Sequence, residues 1–170
     1  NENGGVLDDL IVFRVEKDRW FIVVNAGTME NDAKHFEQNI SSSARFMNIS
    51  RQTAKLDVQG PRSRELLSTI IPGVEKLSYY TFAEFPVMGE RVIVSRTGYT
   101  GELGYEIYFP WDKVGGLWQK ILALGARPAG LGARDILRLE VGYPLYGHEL
   151  SETISPLEAG LGVFIDWTKD

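Results

Sequence analysis

The stretch Gly130–Gly162 reads GLGARDILRLEVGYPLYGHELSETISPLEAGLG and constrains the fold more than any other part of the chain. Its Ala, Leu, Arg and Glu residues favour a helix over Ala133–Val141, which Gly142 can end. Ile136, Leu137, Leu139 and Val141 spread apolar bulk around most of the circumference, so a well-buried helix is expected. Arg134 falls in its first turn and Glu140 in its last, where the helix dipole opposes each charge by up to about 1 kcal/mol. A buried helix with arginine at its positive end needs a partner for that charge. The partner is an internal carboxylate or an anionic or polar ligand.

The rest of the chain alternates hairpins with short helices. Leu10–Val15 and Trp20–Asn25 are rich in β-branched and aromatic residues, and the polar Glu16–Arg19 between them predicts a hairpin. Thr28 precedes a helix expected from Met29 to about Ile40, with Glu30 and Asp32 in its favourable first turn. A polar break follows at Ser41–Ser43, and Phe46–Ile49 reads as another short strand. Over Ala54–Gln59, Ala54, Leu56 and Val58 alternate with Lys55, Asp57 and Gln59, as in a strand with one apolar face. Gly60-Pro61 opens a helix whose stripe is Leu66, Leu67, Ile70 and Ile71. Arg91–Ser95 and Tyr105–Phe109 read as strands flanking a glycine-rich loop. Val114, Leu117, Trp118, Ile121 and Leu122 make a helical stripe that Gly125 ends. This mixture is α+β, with mixed or antiparallel sheets and packed helices, rather than a regular βαβ wind.

Composition narrows the chemistry. The chain has 170 residues and a formal net charge of −5, without a basic run, so a non-specific nucleic-acid surface is not expected. With no cysteine, thiol nucleophiles, disulfides and thiolate metal sites are excluded, and the two histidines, His35 and His148, are too few for a His-rich metal site. No apolar run approaches the roughly 20 residues of a membrane-spanning helix, and no apolar leader precedes the first strand.

Two constellations carry candidate chemistry. Asp8 and Asp9 stand before the first strand. Alternation places Asp9 on the face of Ile11, Phe13 and Val15, so Asp9 is expected to point inward and Asp8 outward. Burial raises such a carboxyl unless cations or hydrogen bonds compensate. Read on its residues alone, Asp9 is more simply a strand-start acid that caps or solvates a turn. The second is SRTGYTGELG at Ser95–Gly104, whose glycines surround Tyr99 and Glu102 and permit close backbone approach. It lacks the lysine of a phosphate-binding loop. It can present a carboxylate and a ring to a flat ligand, or simply connect two strands with a solvated glutamate. Asn25 closes the second strand and is a strand terminator by turn chemistry. Tyr143 lies in the aromatic loop after the helix; like Tyr99, it suits a ring surface or a core. Asp135 and Arg138, three apart, are expected to pair.

Four segments in order also resemble one family: NENGGVLDDLIVF at Asn1–Phe13, VQGPRSRELL at Val58–Leu67, SRTGYTGELGYEI at Ser95–Ile107, and the Gly130–Gly162 stretch. The chain is similar to the T-proteins, the aminomethyltransferases of the glycine cleavage system. The resemblance spans essentially the whole chain but implies a central portion of the family's length. On that resemblance, the start of the first domain and the C-terminal barrel are expected to lie outside this sequence. It implies that residues 1–50 belong to the second domain, 51–155 to the folate-binding first domain, and 156–170 to the second again. It carries the family's acid onto Asp9 and its folate contacts onto Glu102 and Arg134, with Asn25, Tyr99 and Tyr143 beside them. The implied co-substrate is tetrahydrofolate, with no metal, and the implied partner is the lipoyl-carrying H-protein. No nucleic acid or membrane is involved. The reaction releases ammonia and forms methylenetetrahydrofolate. The compartment is the cytoplasm for a bacterial source, or the mitochondrial matrix for a eukaryotic one. Folate-dependent demethylases, the folate domains of sarcosine and dimethylglycine oxidases, and a non-catalytic folate-binding regulator are the competing readings. The isolated piece is expected to be inactive.

Overall fold

A computed structural model describes residues 1–169 and divides the chain into two units. The first comprises Asn1–Asn48 and the chain from Pro144 onward, and the second comprises Ile49–Tyr143.

In the first unit, β1 (Ile11–Glu16) and β2 (Arg19–Val23) form the antiparallel hairpin read from the polar break between them. Phe13 faces Phe21 in register, and the two rings stack with centroids 6.2 Å apart. Helix α1 (Met29–Asn39) follows Thr28, whose hydroxyl donates to the Asn25 carbonyl at 3.2 Å instead of capping the helix. Phe46–Ile49 is irregular, not the strand expected: none of the described strands pairs with it, and an apolar run without a ladder partner cannot hold a strand. The Val6 amide donates to the Ser151 carbonyl at 2.8 Å, and Asn1 Nδ2 donates to the Glu152 carbonyl at 2.9 Å. These bonds tie residues 151–152 to the chain start. The crossing between units therefore falls at Tyr143–Pro144, earlier than the Pro156 read from sequence.

The second unit is built on four strands. After a short 3-10 turn come β3 (Thr53–Gln59), α2 (Ser63–Ser68), β4 (Phe82–Val87), β5 (Glu90–Ser95), β6 (Gly104–Pro110), α3 (Val114–Ala123) and α4 (Leu131–Glu140). The sheet order is β3-β6-β5-β4 with every neighbour antiparallel. Strand β4, unforeseen in the sequence, turns into β5 through Met88 and Gly89, both at positive φ, as the tight primed hairpin turn requires.

Period-two alternation gives this sheet two unlike faces. One carries Val58, Val92, Val94, Tyr105, Ile107 and Phe109 and forms the core with Leu67 and Ile71 next to it and Leu117 and Ile121 of α3. The other carries Lys55, Asp57, Ser95, Glu106 and Tyr108, because Asp57 pairs with Glu106, and Ser95 with Glu106, in register.

Helix α4 forms where the sequence placed it, but it is not buried as expected. Leu131 is 85% exposed and Ile136 60%, whereas Arg138 is 2% exposed. Apolar residues spread around a circumference cannot all face one layer. The inward position is taken by Arg138, which donates from Nε to Asp135 at 2.8 Å and from Nη1 to the Tyr143 carbonyl at 3.2 Å. The Asp135–Arg138 pair read from their spacing is therefore present.

Candidate functional site

In the second unit, the polar sheet face is a connected network. Glu106, 4% exposed, accepts hydrogen bonds from Lys55 Nζ at 2.7 Å, Thr97 Oγ1 at 2.6 Å and Tyr108 Oη at 3.1 Å. Burial raises its pKa, but Lys55 and the hydrogen bonds outweigh burial and hold it below the usual carboxylate value. Asp57, directly across the ladder, goes the other way. Its burial, with the Glu106 charge added, raises its pKa despite Lys55 and Arg134. The opposite directions fit the geometry: Lys55 Nζ stands 2.7 Å from Glu106 and 3.6 Å from Asp57.

Asp57 supplies the carboxylate that the arginine at the α4 N-terminus needs. Arg134 Nη1 lies 3.2 Å from Asp57 Oδ2. The same guanidinium sits 4.6 Å from the centroid of the Tyr99 ring, in a cation–π arrangement. Tyr99 in turn stacks on Tyr143, with ring centroids 5.7 Å apart. A hydrogen bond to Tyr79, together with partial burial, raises the Tyr143 phenol.

The glycine-rich loop beyond this stack lines a cavity of about 190 Å³. Tyr79, Arg96, Gly98, Gly101, Glu102 and Tyr143 are among its walls. The Gln59 side chain lies across the loop, its Nε2 donating to the carbonyls of Thr97 at 3.3 Å and Tyr105 at 3.4 Å. A Cβ built on Gly98 or Gly104 would fall inside the Gln59 amide, so a side chain at either position would push that amide aside. The Glu102 carboxylate has no hydrogen-bond or ion partner among the described residues; only its backbone amide is engaged, by Thr100 Oγ1 at 3.3 Å. The structure thus brings together Glu102, Arg134, Tyr99 and Tyr143.

In the first unit, Asn25 organises the aspartate pair. Its Nδ2 donates to Asp8 Oδ1 at 2.8 Å and to Asp9 Oδ1 at 2.9 Å, and its backbone amide to Asp8 Oδ2 at 3.1 Å. The inward reading of Asp9 is corrected: Asp8 is half-buried and Asp9 exposed. Strand geometry starts only at Ile11, so the alternation does not extend back to the pair. Partial desolvation and the Asp8 charge still raise the Asp9 pKa, with the Asn25 hydrogen bond opposing. Asp32, on α1, is buried and likewise raised, chiefly by desolvation.

Sequence reasoning missed Gln59, Arg96 and the Asp57–Glu106 pair as parts of this region. The polar half of the β3 alternation was the signal for Asp57 and Gln59; nothing local marks Arg96. Among the described residues there is no metal-binding cluster of acids and histidines, and no helix is long and apolar enough to cross a membrane.

Residues 1–169 match the family described as the GCVT N-terminal domain, and the chain belongs to that family. It is similar to the aminomethyltransferase of Pseudothermotoga lettingae, with 44% identity over 178 residues, covering 100% of this chain and 48% of that protein. The aminomethyltransferase of Caldanaerobacter subterraneus subsp. tengcongensis is 46% identical, with 99% and 47% covered. The structure of glycine cleavage system aminomethyltransferase T from Bartonella henselae superposes with a TM-score of 0.83 at 32% identity, over 98% of this chain and 45% of that one. Heterotetrameric sarcosine oxidase from Corynebacterium sp. U-96, at 14% identity and a TM-score of 0.51, shares the fold alone. The chain spans about half the length of the curated relatives it matches.

Proposed function

We propose that this chain carries the folate-binding part of a tetrahydrofolate-dependent aminomethyltransferase of the glycine cleavage system. The whole protein takes an aminomethyl group from the lipoyl arm of the H-protein, releases ammonia and passes the one-carbon unit to tetrahydrofolate. The names of its relatives support the reaction. The observation that carries the site is the unpaired Glu102 carboxylate in a cavity walled by Tyr143, next to the Arg134–Tyr99–Tyr143 stack.

The residues suit a reduced pterin. Its guanidine-like edge is a row of donors, and an ionised carboxylate accepts such an edge in bidentate fashion. Glu102 takes that role. Arg134, held by Asp57 and Tyr99, offers a planar fork to acceptors. Tyr143 gives an apolar surface to a ring. Asp9, with its raised pKa, holds or receives a proton during transfer, and Asn25 fixes its orientation. Most of the rate enhancement is positioning. No residue acts through a metal.

On this reading, Ile49–Tyr143 belongs to the family's first domain, and the other unit to its second. The enzyme works in the cytoplasm of a bacterial source or the mitochondrial matrix of a eukaryotic one. The test is to incubate the full-length protein with aminomethyl-lipoyl H-protein and tetrahydrofolate, and to measure ammonia and methylenetetrahydrofolate. Folate-dependent release of both is expected. Turnover of an N-methylated amine donor, with none from the H-protein, would place the protein with the demethylases instead.

A further inference from the structure

Arg96 stands at the wall of the cavity that holds Glu102. It follows β5 directly, and its backbone is clamped on both sides: its amide donates to the Thr81 carbonyl at 2.8 Å and its carbonyl accepts from the Tyr80 amide at 3.1 Å. Its side chain lines the same cavity as Glu102. Its Nε is buried and has no hydrogen-bond partner among the described residues. A buried donor left without a partner costs about 1–3 kcal/mol. Such a group is retained where something else completes it.

One cavity therefore presents the Glu102 carboxylate and the Arg96 Nε, neither with a partner among the described residues. The ligand that satisfies both has a donor edge next to an acceptor. A ring lactam has this pattern, with its N–H and amino group beside its carbonyl oxygen. We propose that Arg96 is a specificity-determining residue that donates to the ring carbonyl of the bound pterin, while Glu102 accepts from the adjoining amino edge. This rests on the folate reading and adds to it a selection for 4-oxo over 4-amino rings. A 4-amino group is a donor and turns a hydrogen bond to Arg96 into a clash of donors.

The test is a cycle of two proteins against two ligands. Tetrahydrofolate and its 4-amino analogue are titrated calorimetrically into the full-length protein and into Arg96→Gln. Any difference due to Glu102 is common to both proteins and cancels. The expected result is a loss of about tenfold or more in tetrahydrofolate affinity, against less than about twofold for the 4-amino analogue. Arg96→Lys keeps the charge without the fork and is read in the same cycle if Arg96→Gln fails to fold; an intermediate loss confined to the 4-oxo ligand is expected. Equal losses for both ligands, or no loss for either, would overturn the role of Arg96. If the unaltered protein binds neither ligand, the folate reading itself is removed. Binding by the unaltered protein without a ligand-dependent effect of Arg96 removes only this inference.

Discussion

Replacing Glu106 by Gln tests the polar sheet face that holds Arg134 in place. Glu106 accepts from Lys55, Thr97 and Tyr108 at 2.6–3.1 Å and is held below the usual carboxylate value, chiefly by Lys55. An amide keeps one acceptor oxygen but turns its other end into a donor that meets donors. Each hydrogen bond to a charged group contributes about 1.5–3 kcal/mol, and a buried pair broken on one side costs about 3–5 kcal/mol. The Lys55 side chain is 33% exposed, so solvent screens part of that loss. The expected destabilisation is about 2–4 kcal/mol. Urea unfolding followed by tryptophan fluorescence measures it, since Trp111 and Trp118 lie in this unit. Because the folded-state pKa of Glu106 is depressed, its contribution is present above the unfolded value of 4.5 and is lost as pH falls through the folded one. Asp57 acts oppositely. Its folded pKa is raised, so its contribution is present below 3.8 and lost as pH rises through the raised value. The gap between wild type and variant should hold near neutrality and close in acid. A gap below about 1 kcal/mol, or one that persists unchanged into acid, would refute the network as an energetic unit.

Three further outcomes follow from the geometry. In the full-length protein, Asp9→Ala should lower transfer more than Asp8→Ala, read as kcat for ammonia release; equal and small losses would deny Asp9 its proton-handling role. Gly104→Ala should displace Gln59 and the loop, weakening tetrahydrofolate binding, and Gln59→Ala should restore part of that loss; no effect of Gly104→Ala would mean the loop does not depend on this packing. The 170-residue chain alone, about half the length of its relatives, should release no ammonia from aminomethyl-lipoyl H-protein; turnover matching the full-length protein would show the site to be complete within it.

Much of this architecture could be read before any coordinates. The polar Glu16–Arg19 break, the β3 alternation and the α3 stripe are local signals, and each element formed where it was read. The failures have a common physical source. Strand β4 contains Pro86, which argues against a strand in the sequence, and is held by its ladder with β5, a non-local term. Phe46–Ile49 has strand-like composition and no ladder. Exposure of α4 depends on what packs against it, which side-chain type does not reveal. In the candidate site, the motifs single out Glu102, Arg134, Tyr99 and Tyr143, which the fold places near one another. The Asp57 contact to Arg134 spans 77 residues of sequence, and Arg96 is distinguished only by the partner it lacks. Asp9 was misplaced because alternation was carried past the end of the strand.

The central claim is that Glu102 and Arg134 bind a reduced folate. The direct measurement is calorimetric titration of tetrahydrofolate into the full-length protein, Glu102→Gln and Arg134→Ala. Loss of the charge-assisted acceptor in Glu102→Gln should weaken binding by about 1–3 kcal/mol, roughly tenfold to a hundredfold. Arg134→Ala should lose more, because it removes a whole cationic fork where Glu102→Gln keeps an acceptor oxygen. Unchanged affinity in both variants, with the unaltered protein binding normally, would contradict the site described here.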